Sequence, residues 1–510
     1  MIKKVIPRLV AVLMILVLLN QIYTRYIYPH DLKKIDLADS LARIKDTCQI
    51  LYLGESSNFS FSWGDHDRRR ISDFVADYYP SLSLGTLNKG ALHAGIYLRL
   101  LEQIPTQSKL ETVIVTVNLR SFGPDWIHSK LENVLQRDIL LLSPGPKLWN
   151  RFRMGLKAYY NPNETQRKAL QQWHYAKDPL GPECPYPTAQ AWMSAIKENK
   201  AQPPLTLESE RKQALNFIRL FAFSIDTLSN PRIHDLDRIA RLARQRGWHL
   251  IFNLLSENVE KARQLTGQEL PNLMQRNRDI LVKRYSGMGV VVVDNLATVD
   301  SAFFIDKDWP TEHYTEPGRK AVARKVALAL KEFYPAAFFD VKRRTLFLND
   351  FERPAVGFSS SGTNQTKARS GRHAFALYPD RPYCPSFYLT TENTDFQGPF
   401  TLKIETWFNG NPKPKELKLV ISLKNKDDPK IYKVFYVDDA THETWKPLRC
   451  ETLIEQGLRE GDLLTAYVWH SGQDTVYVDD FSVRIIPVDS TAFVNFARTG
   501  MSQPHQPTRL

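Results

Sequence analysis

The spacing of apolar and polar positions divides the chain into three stretches of different character. The first is a run without a polar residue, Leu9–Leu19, preceded by Lys3, Lys4 and Arg8 and followed by Tyr23, Tyr26 and Tyr28. Positive residues ahead of an apolar stretch describe a signal sequence whose N-terminus stays inside. The run alone is short for a spanning helix; with Val5, Ile6, Ile22 and interfacial tyrosines it reaches spanning length. No small-x-small cleavage site or lipobox cysteine follows. An uncleaved signal anchor at residues 1–29 is therefore expected, with the rest of the chain exported.

The second stretch begins with LKKIDLADSLARIKD, whose charged and apolar residues alternate at helical spacing and predict a stalk or first helix. Short apolar runs then alternate with helical patterns. Strands are predicted at Ile50–Leu53, Leu82–Leu87, Thr112–Val117, His249–Leu254 and Val290–Asp294. Helices are predicted at Arg70–Tyr79, Ala91–Gln103, Glu208–Leu228, His234–Arg246, Glu257–Tyr285 and Pro317–Phe333. This rhythm describes a parallel sheet covered by helices, an α/β domain over residues 30–338. Residues 123–207 interrupt it with a helical pattern at Leu148–Tyr160 and a Pro-rich connection, and read as a long insertion that serves as a lid or docking element.

After Tyr334-Pro335 the pattern changes to short alternating runs such as PFTLKIETWF and LLTAYVWH, separated by Gly, Asn, Pro and Asp turns. That is the pattern of an all-β sandwich or jelly roll, expected over residues 339–487, before a loose tail at 488–510. The 510 residues carry a net charge of +13 with Lys and Arg spread along the chain. This favours a general attraction to anionic surfaces, and no nucleic-acid-binding motif is visible. Cys48, Cys184, Cys384 and Cys450 form no CxxC pair; Cys384 and Cys450 fall in the same region and could pair in an oxidising compartment.

The candidate chemistry starts at LYLGESSN, residues 51–58, where a buried strand ends in a small polar turn. Open α/β sheets build their sites at this edge, although Ser56, Ser57 and Asn58 are equally good helix caps. A serine nucleophile needs a base, an orienter for the base and donors for the oxyanion. His313, in DKDWPTEHYTEPGRKAVA, follows a strand-like run and precedes a helix, and Asp308, Asp306 and Glu312 lie close enough in sequence to orient it. Asn118 ends a strand, and Gly90 starts a helix after one, which would leave its N–H free to face an anion.

At these positions the chain resembles the SGNH, or GDSL-type, hydrolases and acyltransferases. Gly54-Glu55-Ser56 is similar to their GDS block, Asn88-Lys89-Gly90 to the glycine block, Asn118 in VNLRSF to the asparagine block, and HYTEPGRKA from His313 to the final block. The resemblance covers roughly residues 48–335 and implies a flavodoxin-like three-layer fold. It also implies Ser56 as nucleophile, His313 as base, and an oxyanion hole made of the Ser56 N–H, the Gly90 N–H and the Asn118 side chain. The family's GDS aspartate is Glu55 here, and the acid three residues before the histidine is replaced by Pro310. Asp308 is the first substitute, with Asp306 and Glu312 behind it; a Ser–His dyad leaning on a backbone carbonyl is the other arrangement. No GxSxG elbow occurs.

An SGNH domain behind a signal anchor resembles the envelope O-acyltransferases of the D-alanine-transfer and alginate-acetylation kind. This implies a single-pass protein of the cell membrane with both domains on the extracytoplasmic side. The expected activity is that of a serine esterase or acetyl-type O-acyltransferase acting on an envelope polysaccharide. It needs no cofactor for catalysis, and a membrane-bound O-acyltransferase is an expected partner. The β region, with FLNDFER, KARSGRHAFAL and VYVDDFSVRI, resembles jelly-roll carbohydrate-binding modules. That resemblance implies a structural Ca²⁺ held by Glu352 and Asp480 or Asp479. Trp407, Tyr432, Trp445 and Trp469 are candidates to stack on sugar rings, or equally to be core or rim of the sandwich. The competing expectation is a non-catalytic glycan-binding or assembly protein that keeps the scaffold.

Overall fold

A computed structural model describes residues 2–306, 309–359, 367–426, 428–437 and 442–488; the terminal tail from 489 lies outside them. The chain forms two compact units, Met1–Ser62 with Arg70–Phe338, and Trp63–Arg69 with the chain from Phe339 onward.

The first unit contains five strands, β1 (Ile50–Gly54), β2 (Leu84–Asn88), β3 (Thr112–Val117), β4 (His249–Leu254) and β5 (Val291–Asp294). All pair in parallel, in the order β2-β1-β3-β4-β5, which is the flavodoxin-like order. β1 and β3 are apolar and buried at every position because helices cover both faces of the sheet. Along β1, Leu51 and Leu53 face the larger core cluster, and Ile50 and Tyr52 face a second one with Tyr314 and Val322. The period of two in a strand thus feeds two separate cores, making three layers.

Helix bounds shift in several places. The helix after β2 is Ala94–Leu101, begun by His93, whose Nδ1 accepts the Gly95 N–H at 3.1 Å. Gly90 therefore lies in a turn ahead of the helix and does not start it. The predicted helix Glu257–Tyr285 is two, Val259–Thr266 and Glu269–Ser286, parted at Gly267, whose φ of +72° favours glycine. The segment read as a stalk or first helix is helix Asp36–Ile44, with Leu37 and Leu41 buried in the core.

Residues 124–197 form five helices, Pro124–Ile127, Lys130–Leu142, Lys147–Gly155, Glu164–Lys177 and Ala189–Lys197. The N-terminal helix Ile2–Ile22 continues through a π-helical turn, Tyr23–Ile27, into Tyr28–Lys33. Val5–Lys33 is long and apolar enough to cross a membrane.

The second unit is an antiparallel sandwich. Its strands are β6 (Leu346–Asn349), β7 (Phe375–Leu377), β8 (Phe387–Leu389), β9 (Phe400–Gly410), β10 (Leu417–Asn425), β11 (Asp428–Tyr436), β12 (His442–Ile454), β13 (Asp462–His470) and β14 (Val476–Pro487). One sheet runs β11-β10-β13-β8; the other runs β12-β9-β14-β6, with β7 also on β14. Alternate residues of both sheets, among them Leu419, Ile421, Val468, Ile404 and Val483, fill the core between them. The four cysteines are unpaired, so Cys384 and Cys450 do not form the disulfide considered above.

Candidate functional site

The turn after β1 is shaped by close packing. A Cβ on Gly54 would stand 2.9 Å from the Cβ of buried Asn58, so a glycine is required at this point. Asn58 in turn donates to Ser72 Oγ and Asn88 Oδ1, each at 3.2 Å, and accepts the Ser72 N–H at 2.9 Å. Glu55 opens the short helix Ser56–Phe59, its Oε1 accepting the Ser57 N–H at 3.2 Å. The cap is thus Glu55, and neither serine fills that role. Ser57 is buried and its hydroxyl has no hydrogen-bond partner. Ser56 is half-buried, and its Oγ lies 3.0 Å from His313 Nε2 and 3.1 Å from Glu55 Oε2.

His313 is held by a miniature hairpin. Phe304 and Tyr314 form an antiparallel bridge; the Ile305 N–H donates to the His313 carbonyl and the Thr315 N–H to the Phe303 carbonyl, each at 2.9 Å. Ile305 thus stands opposite His313, and Asp306, the next residue, places its Oδ2 2.8 Å from His313 Nδ1. The Thr311 hydroxyl donates to the same oxygen. An ionised Asp306 makes Nδ1 the protonated nitrogen and leaves Nε2 free to accept the Ser56 proton. The ordering Ser–His–Asp therefore exists, with the acid seven residues ahead of the histidine. Asp308, the first choice from sequence, lies outside the described residues.

Glu312, the remaining candidate acid, is a correction. Its carboxylate is fully buried on the other side of the loop, 2.7 Å from the Arg120 guanidinium. Arg120 also donates to the Pro310 carbonyl at 3.4 Å and stacks over Trp126 at 4.6 Å. Glu55 and Glu257, both buried, belong to the same charged group. Burial, and then the neighbouring Glu312, hold the Glu257 carboxyl well above the usual range. Burial also raises Glu312, partly offset by Arg120. Neither Arg120 nor Glu257 stands out in the sequence. An arginine two residues after a strand-end asparagine, and a glutamate three beyond β4, are signals only once the sheet order is known.

Gly90 and Asn118 follow the ends of the two strands that flank β1, whose pairing closes with Gly54 beside Asn88 and Leu53 beside Val115. The Asn118 Oδ1 accepts the Arg120 N–H at 3.1 Å, which orients the amide with its NH₂ as the free end. Ala91, beside Gly90, has a φ of +65°, a conformation that costs a non-glycine residue about 1 kcal/mol or more.

In the β unit the expected calcium ligands are engaged by the chain's own donors. Glu352 accepts the N–H groups of Arg372 and His373 at 2.6 and 2.7 Å, and lies 2.8 Å from His373 Nδ1. Side-chain and backbone donation hold its carboxyl down to about 2. Asp479 accepts from Arg369, Ser370 and Asp480 N–H groups, and Asp480 from Ser370 Oγ and Arg369. Among the described residues no three His, Cys, Asp or Glu side chains converge as a metal site. This donor arrangement fits N–H groups, and the loop 369–373 supplies the positive ends that a cation would have supplied.

Of the four aromatic candidates, Trp469 and Tyr432 project from the outer face of the β11-β10-β13-β8 sheet. Tyr383 and Tyr467 join them, the Tyr383 ring centroid lying 5.7 Å from that of Trp469 and 5.8 Å from that of Tyr467. Lys418 lies 3.6 Å over Trp469. Trp407 belongs to the other sheet and is covered by Arg369 at 3.8 Å; Trp445 is half-buried on β12.

The chain therefore joins a flavodoxin-like α/β unit carrying a Ser–His–Asp constellation to a β-sandwich. No family model matches it, and no curated protein matches it. Among solved structures it is similar to the CBM22-1 xylan-binding domain of Paenibacillus barcinonensis Xyn10C. That match has 18% identity and a TM-score of 0.21, and covers 28% of this chain and 94% of that one. It is also similar to the C-terminal family 22 carbohydrate-binding module of Clostridium thermocellum Xyn10B, with 9% identity, a TM-score of 0.22, and 30% and 98% covered. A third is TmCBM61 in complex with β-1,4-galactotriose, with 15% identity, a TM-score of 0.16, and 27% and 86% covered. TM-scores of this size give no ground for assigning the chain a ligand.

Proposed function

We propose that the α/β unit is a serine esterase or O-acyltransferase of the SGNH kind, acting on an envelope polysaccharide. The observation that carries this reading is the line Ser56 Oγ, His313 Nε2, His313 Nδ1, Asp306 Oδ2, with contacts of 3.0 and 2.8 Å. His313 Nε2 takes the Ser56 proton as Oγ bonds to the acyl carbon. The Ser56 and Gly90 N–H groups and the Asn118 amide receive the oxyanion. One such donor is worth about 3–4 kcal/mol in systems where it has been removed. Collapse breaks the ester C–O bond, and His313 returns its proton to the departing alcohol. Water or a sugar hydroxyl, deprotonated by the same nitrogen, then takes the acyl group from Ser56.

The test is hydrolysis of a chromogenic acetyl ester by the full chain, wild type against Ser56→Ala. Loss of at least a hundredfold in kcat supports the reading; equal rates sink it.

A second reading concerns the β unit, and the aromatic group Tyr383, Tyr467, Trp469 and Tyr432 on one sheet face favours it. We propose that this face stacks on sugar rings and holds the polysaccharide. Its test is retention on immobilised polysaccharide, which Trp469→Ala should weaken. Unchanged retention would leave the aromatic face without that role. The proposed setting is a membrane-anchored one, with both units on the extracytoplasmic side, supported by the apolar helix and the basic residues ahead of it.

A further inference from the structure

The end of the N-terminal helix is locked to the insertion. Asn20 Oδ1 accepts the Leu148 N–H at 3.0 Å, and the Tyr28 hydroxyl donates to the Leu141 carbonyl at 3.2 Å. The Tyr23 hydroxyl donates to Asp31 at 2.7 Å, and Arg151 lies 3.5 Å from the same carboxylate. Tyr23 and Tyr28 are consequently buried in the protein, leaving only Tyr26 of the three tyrosines to face outward. The interfacial aromatic residues expected beside the anchor have to come from elsewhere.

Helix Lys147–Gly155 supplies them. Its inner side is set by buried Asn150, which donates to the Ser143 carbonyl at 2.8 Å, and by Arg151. The opposite side carries Trp149, Phe152 and Leu156, spaced three and four residues apart and 55%, 53% and 64% exposed. Trp149 and Phe152 stack on each other at 5.4 Å. No acidic residue occurs between Asp138 and Glu164, while Lys147, Arg151, Arg153 and Lys157 do. An exposed apolar stripe among basic residues is the composition of a helix that lies in a lipid interface.

Height decides the occupant. The apolar part of helix Ile2–Ile22 runs from Val5 to Ile22, about 27 Å at the helical rise, close to a hydrocarbon thickness of about 30 Å. Asn20 stands two residues from its end, so the start of helix Lys147–Gly155 is pinned at the level where acyl chains meet headgroups. A bilayer spanned by that helix places lipid around it at that level, beside the start of helix Lys147–Gly155.

We propose that helix Lys147–Gly155 is a second membrane contact. In it, Trp149, Phe152 and Leu156 enter the headgroup–acyl boundary of an anionic bilayer, and Arg153 and Lys157 meet its phosphates. This rests on the reading that the N-terminal helix spans a membrane. The orientation of the α/β unit over the bilayer is then fixed at two points and does not swivel on a single tether.

The test uses the full chain with Cys184→Ser, reconstituted in vesicles of phosphatidylcholine and phosphatidylglycerol. A polarity-sensitive fluorophore is placed at Phe152→Cys, Leu156→Cys or, within the anchor, Leu16→Cys. All three labels are expected to be quenched by doxyl lipid and shielded from aqueous iodide, with emission shifted to the blue. Iodide quenching without doxyl quenching at positions 152 and 156, with position 16 still shielded, overturns the proposal and leaves the anchor standing. Iodide quenching at position 16 removes the anchor reading and the proposal with it.

Discussion

Replacing Asp306 by asparagine removes one charge from the line of three residues while keeping its shape. An amide oxygen can still accept the His313 Nδ1–H, and the Thr311 hydroxyl retains a partner. What disappears is the added strength of a hydrogen bond to an ionised acceptor, and its hold on the imidazolium that forms as Ser56 attacks. Such a bond contributes about 1.5–3 kcal/mol, against about half that for a neutral one. The Asp306 side chain is 38% exposed and that of His313 24%, so water screens part of the interaction. Losing about half of the bond's contribution, roughly 0.8–1.5 kcal/mol, should lower kcat by about 4- to 13-fold at 1.36 kcal/mol per decade, with little change in KM. In a buried Ser–His–Asp site the same change costs about 10⁴. The assay is steady-state hydrolysis of an acetyl ester by Asp306→Asn, Asp308→Asn and Glu312→Gln. If Asp306→Asn stays within twofold of wild type while Asp308→Asn falls tenfold, the acid is misassigned. If Asp306→Asn falls more than a thousandfold, the argument from solvent screening is wrong.

Three further outcomes are expected. Ser57→Ala should keep wild-type kcat and leave stability unchanged or raised by up to about 1 kcal/mol, because a buried hydroxyl without a partner is lost; loss of activity there, with Ser56→Ala active, would move the nucleophile. Arg120→Met should lower the stability of the α/β unit by about 3–5 kcal/mol in urea unfolding, since it strips the cation from buried Glu312; a change below about 1 kcal/mol would show that the pair is not buried as described. Glu257 and Glu312 are raised above the ordinary 4.5, so the folded chain holds protons that the unfolded chain has released. Their contribution to stability is full below about pH 4.5 and is lost as pH rises toward the folded values; Glu257→Gln should flatten that decline, and identical pH slopes for mutant and wild type would contradict it.

The sheet was readable because each strand is a buried apolar run bounded by turn residues, and the helices between them make the parallel order the natural one. Ser56 and His313, which the structure brings within 3.0 Å of each other, were readable for the same reason, as polar residues where such runs or their loops end. What could not be read depended on contacts between distant residues. The helix after β2 begins at Ala94 because Ala91 adopts a positive φ and His93 caps the next turn, neither of which leaves a period in the sequence. The tyrosines after the apolar run looked interfacial, but Asp31 and the Leu141 carbonyl draw two of them inward. The carboxylate that meets His313 was obscured because a single bridged pair, Phe304 with Tyr314, brings Asp306 beside it. One pair is too short to show as a strand.

The two departures from the SGNH pattern that the sequence resembles, Pro310 and Glu55, each have a structural consequence. With Pro310 three residues before His313, no carboxylate can sit there, but the proline carbonyl is free to accept, and Arg120 donates to it. Glu312 completes the hold from the other side of His313. The loop is thus tied to the end of β3, where the backbone of the same arginine orients Asn118. In the proposed mechanism one residue thereby links the base to an oxyanion donor, and the hairpin supplies the acid. Glu55 has a matching consequence at the nucleophile. Its longer side chain caps the helix through the Ser57 N–H and still lies 3.1 Å from Ser56 Oγ, close to the 3.0 Å of His313. The single hydroxyl proton can point to only one of them. A substrate that fills the site must therefore favour the histidine-facing rotamer before the serine is activated.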